Sequence, residues 1–266
     1  MWTIQPRLAG AIILALGAAS VARAQTRPLL TEEATTAPAG ALVVEAGADA
    51  IRREPNFLTW LERDRFDLPV LRLVFSPADT VELDVEWVGR IIARDDPTFG
   101  TVADFGDVSL RAKLRLRDRQ GGSPALGARF GMTLPETSFG TGLGPNTMRM
   151  SAQMLLSQPL GPATLHLNAG LAIQDEALRA HEQRDFLAYG MALEAPLSRA
   201  LTAMAELAGV AGRGKPGTDA HAEARAGLRV GAGRVRADAA VRRGLAKADG
   251  TWGMTAGLTW RVRAGR

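Results

Sequence analysis

Two stretches of the chain carry its most patterned charge. Glu82, Asp84 and Glu86 alternate with Val81, Leu83, Val85 and Trp87, and Arg111, Lys113, Arg115 and Arg117 alternate with Leu110, Ala112, Leu114 and Leu116. Successive side chains on an extended strand point to opposite faces, so each stretch has one apolar face and one face of a single charge sign. Side by side and antiparallel, such rows form a ladder of cross-strand ion pairs. That ladder can act as a transverse field that orients polar solutes in a pore, or the two rows can neutralise each other and plug a narrow lumen. Arg129, Arg149, Glu206, Glu223, Arg225, Arg236, Asp238 and Arg242 continue the same polar face on later segments.

Other chemistry is sparse. Ser157 and His166 fall opposite one another across the Gly161-Pro162 turn, the beginning of a nucleophile–base arrangement. With no third member and a tight turn beside them, they read as a hydrogen-bonded polar pair lining the lumen. His181 and His221 lie in or beside loops, and no His/Asp/Glu spacing matches a metal site. The Gly140 to Gly144 stretch lacks the Lys and the following helix of a phosphate cradle. The absence of Cys excludes a disulfide framework, a thiolate zinc site and a cysteine nucleophile. The expectation is no enzyme, no catalytic residue, no metal and no cofactor.

The elements that position these residues are strands. From Ala41 onward the chain divides into segments of roughly ten residues with apolar side chains at alternate positions, about twelve in all. Leu126 to Leu134, Met150 to Leu156, Leu165 to Ile173 and Trp252 to Val262 are clear examples. The connections alternate in length. Arg52 to Asp67, Ile92 to Gly106, Pro135 to Thr147, Asp175 to Gln183 and Gly212 to Ala220 are long, whereas Ser76 to Thr80, Arg119 to Ser123, Gly161-Pro162, Leu197 to Arg199 and Ala232-Gly233 are short. Long loops on one end and tight turns on the other are the layout of an up-and-down antiparallel transmembrane β-barrel, with both termini on the turn side.

Ahead of the strands, Arg7, the apolar run Leu8 to Ala18 and Ala22-Arg23-Ala24 form an export signal with cleavage before Gln25. The expected organisation is a signal peptide over 1–24, a flexible periplasmic leader over 25–40 and the barrel over 41–266. Alternation by itself also fits an exported soluble barrel or sandwich with its apolar face inside. A core of that kind needs large interior side chains, yet aromatics are 5% of the chain and Ala and Gly fill many apolar positions. The export signal and the one-sided long loops point the same way, to the outer membrane of a Gram-negative cell. A net charge of +4 from 32 basic and 28 acidic residues, scattered without a patch, gives no footprint for nucleic acid. The partners expected are outer-membrane lipid, the barrel-assembly machinery and a small-molecule solute.

Val102 to Leu116, and the block from Pro124 through Leu134-Pro135, Gly140 to Gly144 and Leu155 to Gly161 to Leu165-His166-Leu167-Asn168-Ala169-Gly170, resemble the outer-membrane transporter family of the MetA-pathway of phenol degradation. The resemblance covers most of the chain after the leader. It implies an outer-membrane channel for small, aromatic or hydrophobic compounds, porin-like in its passive diffusion, and implies no catalytic residues. The alternative is an exported, non-catalytic structural or binding barrel with a plugged lumen. On either reading Glu82, Asp84, Glu86, Arg111, Lys113, Arg115, Arg117 and Arg129 line the lumen.

Overall fold

The computed structural model describes residues 27–263, apart from 121 and 180. Its elements are β1 (Leu42–Pro55), β2 (Glu62–Ala78), β3 (Val81–Val88), β4 (Ile91–Asp96), β5 (Gly100–Asp104), β6 (Val108–Arg117) and β7 (Ala125–Leu134), followed by β8 (Arg149–Leu160), β9 (Ala163–Asp175), β10 (Gln183–Pro196), β11 (Leu201–Ala211), β12 (His221–Ala232), β13 (Val235–Gly244) and β14 (Trp252–Arg263). Every pairing is antiparallel. β1 pairs with both β2 and β14, which closes the sheet into a barrel without edges.

The fourteen strands make twelve staves. β3 and β4 both pair with β2, and the register Trp87 to Val108 between β3 and β6 continues as Ile91 to Asp104 between β4 and β5. Each of these pairs of strands is one stave interrupted by a short break. The breaks at Gly89-Arg90 and Phe105 to Asp107 lie beside Leu68-Pro69 of β2, so three adjacent staves bend at one level. A bulge moves the side-chain parity by one position. In β2 the buried polar residues are Arg63 and Asp67 above the bend and Arg72 and Ser76 below it.

Two of the expected long loops are corrected here. Most of Arg52 to Asp67 and of Ile92 to Gly106 is strand, leaving loops at 56–61 and 97–99 and the short break that begins at Phe105. Above the lipid belt a stave has no need of an apolar outer face. Arg52, Arg53, Asp64, Arg94 and Asp95 therefore erase the alternation while the hydrogen-bond ladder continues.

The barrel is inverted relative to a water-soluble one. Leu73, Phe75, Leu83, Val85, Phe130, Met154, Leu171, Met191, Met254 and Leu258 are exposed on the outside, whereas Glu45, Arg72, Glu82, Asp84, Lys113, Glu206 and Asp238 are buried inside. So continuous an apolar outer band requires lipid around it. Trp252 and Trp260 stand near opposite ends of β14, both exposed, where indoles reach the headgroups.

The lumen is occupied. Residues 27–40, expected to be a flexible leader, are packed inside the barrel: Glu32 is 1% exposed and Ala34 0%. The segment crosses the interior from Arg27, beside β14, to Gly40, whose amide donates to Ser76 O at 2.7 Å before β1 begins. A dozen staves enclose a space that a short chain can fill, and the lumen's charges supply the partners its backbone needs. The expected signal peptide, 1–24, lies outside the described residues.

Candidate functional site

Glu32 is the centre of the lower lumen. Its carboxylate takes Arg72 at 2.8 Å, Lys113 at 3.3 Å and Arg129 at 3.3 Å, from β2, β6 and β7. With its carboxamide turned to suit its neighbours, Asn168 of β9 accepts from Glu32 N at 2.8 Å and donates to Glu32 O at 2.9 Å. The two charged rows meet as the strand register predicts. Lys113 lies 2.8 Å from Glu82, and Arg111 lies 3.3 Å from Asp84 and 2.7 Å from Glu86. Arg72 adds a bidentate contact to Asp84, 3.0 Å to each oxygen. The fork geometry fixes direction as well as charge, so Arg72 couples the ladder to the plug segment.

The opposite wall holds the same segment by its backbone. Glu206 of β11 accepts from Leu30 N at 2.8 and 3.0 Å and from Thr31 N at 2.8 Å. Arg225 and Arg229 of β12 donate to Pro28 O and Arg27 O at 2.6 Å each. Arg225 also contacts Glu223, which contacts Arg242 in turn. Arg27 donates to Thr255 Oγ1 at 2.8 Å and faces Asp238 at 3.7 Å. Leu29 packs on Ala192 and Met204, and Ala34 on Ala125 and Leu155. Small wall residues make the room: a Cβ at Gly190 would sit 2.7 Å from Thr31 Oγ1.

Ser157 and His166 are register partners, with Ser157 Oγ 2.8 Å from His166 Nδ1, as the sequence suggests. Ser157 Oγ also accepts from Ala34 N at 2.8 Å. The pair therefore anchors the plug segment, deep in the lumen.

The upper lumen is closed differently. Arg63, on the upper part of β2, donates to Thr141 O and to Asp96 at 3.2 Å each, and to Gly142 O. Asn56 joins the same Asp96 at 2.9 Å. Gly142 has φ +70, and a Cβ there would collide with the Asn56 carboxamide, so this approach requires glycine. Leu143 is buried against Ile91 and Ala93, with Val88 and Val102 around them. At the base of the loop Asp107 accepts from Thr137 Oγ1 at 2.7 Å and from Arg149 at 2.7 Å. The loop 135–148 thus folds inward as a lid. Nearby, burial works to raise the Asp249 carboxyl, but the His221 Nδ1 contact at 2.7 Å and the amides of Ala222 and Ala246 hold it below its ordinary range.

Six of the eight expected lumen residues, Glu82, Asp84, Glu86, Arg111, Lys113 and Arg129, come together in the lower lumen. Arg115 and Arg117 do not join them. Arg115 pairs with Asp118 at 3.0 Å and Arg117 donates to Pro124 O at 3.1 Å, both toward the β6–β7 turn. The sequence reading overlooked Glu32, Arg72, Arg63 and Asp107. A signal existed for two of them: Glu32-Glu33 is an acidic pair in a leader whose other charged residue is Arg27, and Arg72 stands between Leu71 and Leu73 in an otherwise apolar run.

No protein-family model and no curated protein matches the sequence. Among solved structures the chain is similar to an outer membrane channel from Pseudomonas putida F1, at 15% identity and a TM-score of 0.67 over 85% of this chain and 97% of that one. The translocator domain of the autotransporter NalP from Neisseria meningitidis matches at 15% identity and a TM-score of 0.50, over 83% and 88%. An active-site mutant of outer membrane phospholipase A from Escherichia coli matches at 10% identity and a TM-score of 0.46, over 89% and 93%. The expectation that the chain is not an enzyme is corrected: enzymes stand among the structural matches, and a fold by itself does not fix activity. Together, the lipid-facing belt and the first two likenesses place the protein in the cell outer membrane, as a closed antiparallel barrel with a channel-like fold.

Proposed function

We propose that the protein is an outer-membrane channel that passes small, aromatic or hydrophobic compounds by passive diffusion, and that residues 27–40 set how far its charged lumen opens. The observation that carries this reading is the two-sided wall, with an apolar belt on lipid and acidic and basic rows facing each other inside. The fold likeness to an outer membrane channel supports it. For the solute class, the support is the resemblance of Val102 to Leu116 and Pro124 to Gly170 to the MetA-pathway family. Lipid contact, delivery by the barrel-assembly machinery and removal of residues 1–24 on export belong to the same proposal.

The test is conductance in a planar bilayer. The whole chain should give small discrete steps, and a chain lacking residues 27–36 larger ones. Neutralising Arg111 and Lys113 in the shortened chain should shift its ion selectivity. A folded, heat-modifiable barrel that conducts in neither form would overturn the channel reading. It would favour a closed structural or binding barrel, a second reading supported by the density of ion pairs around Glu32.

A further inference from the structure

The outer wall carries a row of cations where the apolar belt ends. At the long-loop end of the barrel, Trp252 of β14 is the register partner of Arg243 on β13 and of Arg52 on β1. Register partners share a face of the sheet, so both arginines point outward with the exposed indole. Arg52 meets Asp64 of β2 at 2.5 Å, and Asp64 is in turn the partner of Arg94 on β4, whose guanidinium lies over the Phe66 ring, 5.5 Å from its centroid. Five adjacent staves thus present three cations and one carboxylate side by side. Arg243 and Arg94 are exposed, and neither has a carboxylate within ion-pair distance among the described residues.

Beneath this row the wall turns apolar at once. Val241, Met254 and Ala50 lie two residues further down the three strands, and Ala239, Ala256 and Ala48 form the next cross-strand row. Arginines at the upper limit of such a belt lay their stems on apolar surface and keep their heads in water, level with the headgroups of the outer leaflet. The anion that lipids carry at that depth is phosphate, and the guanidinium fork matches its oxygens. Neighbouring strands are about 4.8 Å apart, so Arg243 and Arg52 stand about 10 Å apart across the indole, within reach of one phosphate held between them. The alanine row below is a low place in the wall. Leu228, the partner of Ala239, is 50% exposed on one side of it, and Leu68, in the β2 bulge opposite Ala48, is 42% exposed on the other. Acyl chains running down the wall fit between these two ridges.

We propose that β13, β14 and β1 form a site for an anionic lipid of the outer leaflet, its phosphate between Arg243 and Arg52 over Trp252 and its chains over Ala239, Ala256 and Ala48. Arg94 is a further cation on the same row. The site lies on the outer wall, so it does not require an open lumen.

The experiment is native mass spectrometry of the detergent-folded whole chain, titrated with dioleoyl phosphatidic acid or with dioleoyl phosphatidylcholine, which has the same chains but no net charge. One phosphatidic acid should bind about tenfold more tightly than phosphatidylcholine, and Arg52→Gln and Arg243→Gln should each weaken it about fivefold. Arg119→Gln with Arg199→Gln, which removes exposed cations from the short turns at the opposite end, should leave it unchanged. Ala256→Leu, which fills the recess, should weaken the dioleoyl lipid and spare dihexanoyl phosphatidic acid. Heat-modifiable migration checks that each variant is folded. Equal binding of the two headgroups, or a loss as large in the turn variant, overturns the inference. So does indifference to Ala256→Leu, or displacement of the lipid by inorganic phosphate, which would leave an anion site without a lipid. Conductance does not enter this test, so failure here leaves the channel reading standing, and failure of conductance leaves this one standing.

Discussion

The lumen is closed twice, by opposite chemistry. Below the bend, charged side chains from staves on both sides of the barrel grip the plug, through Glu32 on one wall and through its backbone on the other. Above it, the lid offers backbone carbonyls to a single buried Arg63 and tucks Leu143 into an apolar cluster. A buried charge that loses its partner costs far more than the pair contributed, whereas an apolar contact fails in proportion to the volume removed. The lower closure is therefore tight but vulnerable to one neutralised group. The upper closure yields gradually.

Breaking the lower node should have the largest effect. Glu32→Ala leaves Arg72, Lys113 and Arg129 crowded without their shared carboxylate, a cost of about 3–5 kcal/mol. Because the chain contains no Cys, a cysteine placed at Ala34 is a clean reporter. Its maleimide labelling should rise tenfold or more in the Glu32→Ala background, and unchanged labelling would mean that charge does not hold the plug. Leu143→Ala tests the lid, with an expected loss of about 2–3 kcal/mol from cavity formation. It should speed proteolysis of the 135–148 loop and leave labelling at position 34 alone. Coupled responses would show that the two closures are one. Smaller again is Gly190→Val, which presses on Thr31 at a cost of about 1–3 kcal/mol and should raise labelling at position 34 modestly.

The two regions also differ in how much of them could be read from sequence. The twelve staves were legible because lipid on one side and charge on the other impose strict alternation, and the Glu82–Lys113 and Asp84–Arg111 contacts follow from register alone. The β4–β5 extension was not, because a stave standing clear of lipid keeps its ladder without keeping the pattern. The plug was hidden for a related reason. Residues 27–40 contain Pro28 and Pro38 and form no regular element, so nothing periodic marks them, and their partners lie far away in sequence. Arg115 has the right parity but lies past the end of β3, and a bulge between Arg115 and Arg117 takes Arg117 out of step, so neither meets the acidic row. Ser157 and His166 were paired correctly, but their contact with Ala34 could appear only once the plug was in place.

The smallest expected effect concerns the rim, outside both closures, where Asp249 ties the loop 245–251 to β12 through His221 Nδ1 and the Ala222 amide, and closes the loop on itself through the Ala246 amide. These contacts keep its carboxyl below its ordinary range despite burial. A carboxyl depressed in the folded state contributes stability that is present above its unfolded value of about 3.9 and is lost as pH falls through the lower folded value. Asp249→Asn should therefore speed exchange of the Ala222 and Ala246 amides by about fivefold at pH 7, equivalent to about 1 kcal/mol. The gap between wild type and variant should close as the pH drops below about 4. Labelling at position 34 and proteolysis of the lid should not follow that titration. If either does, the rim governs the closures beneath it, and the division of the lumen into two independently held halves fails.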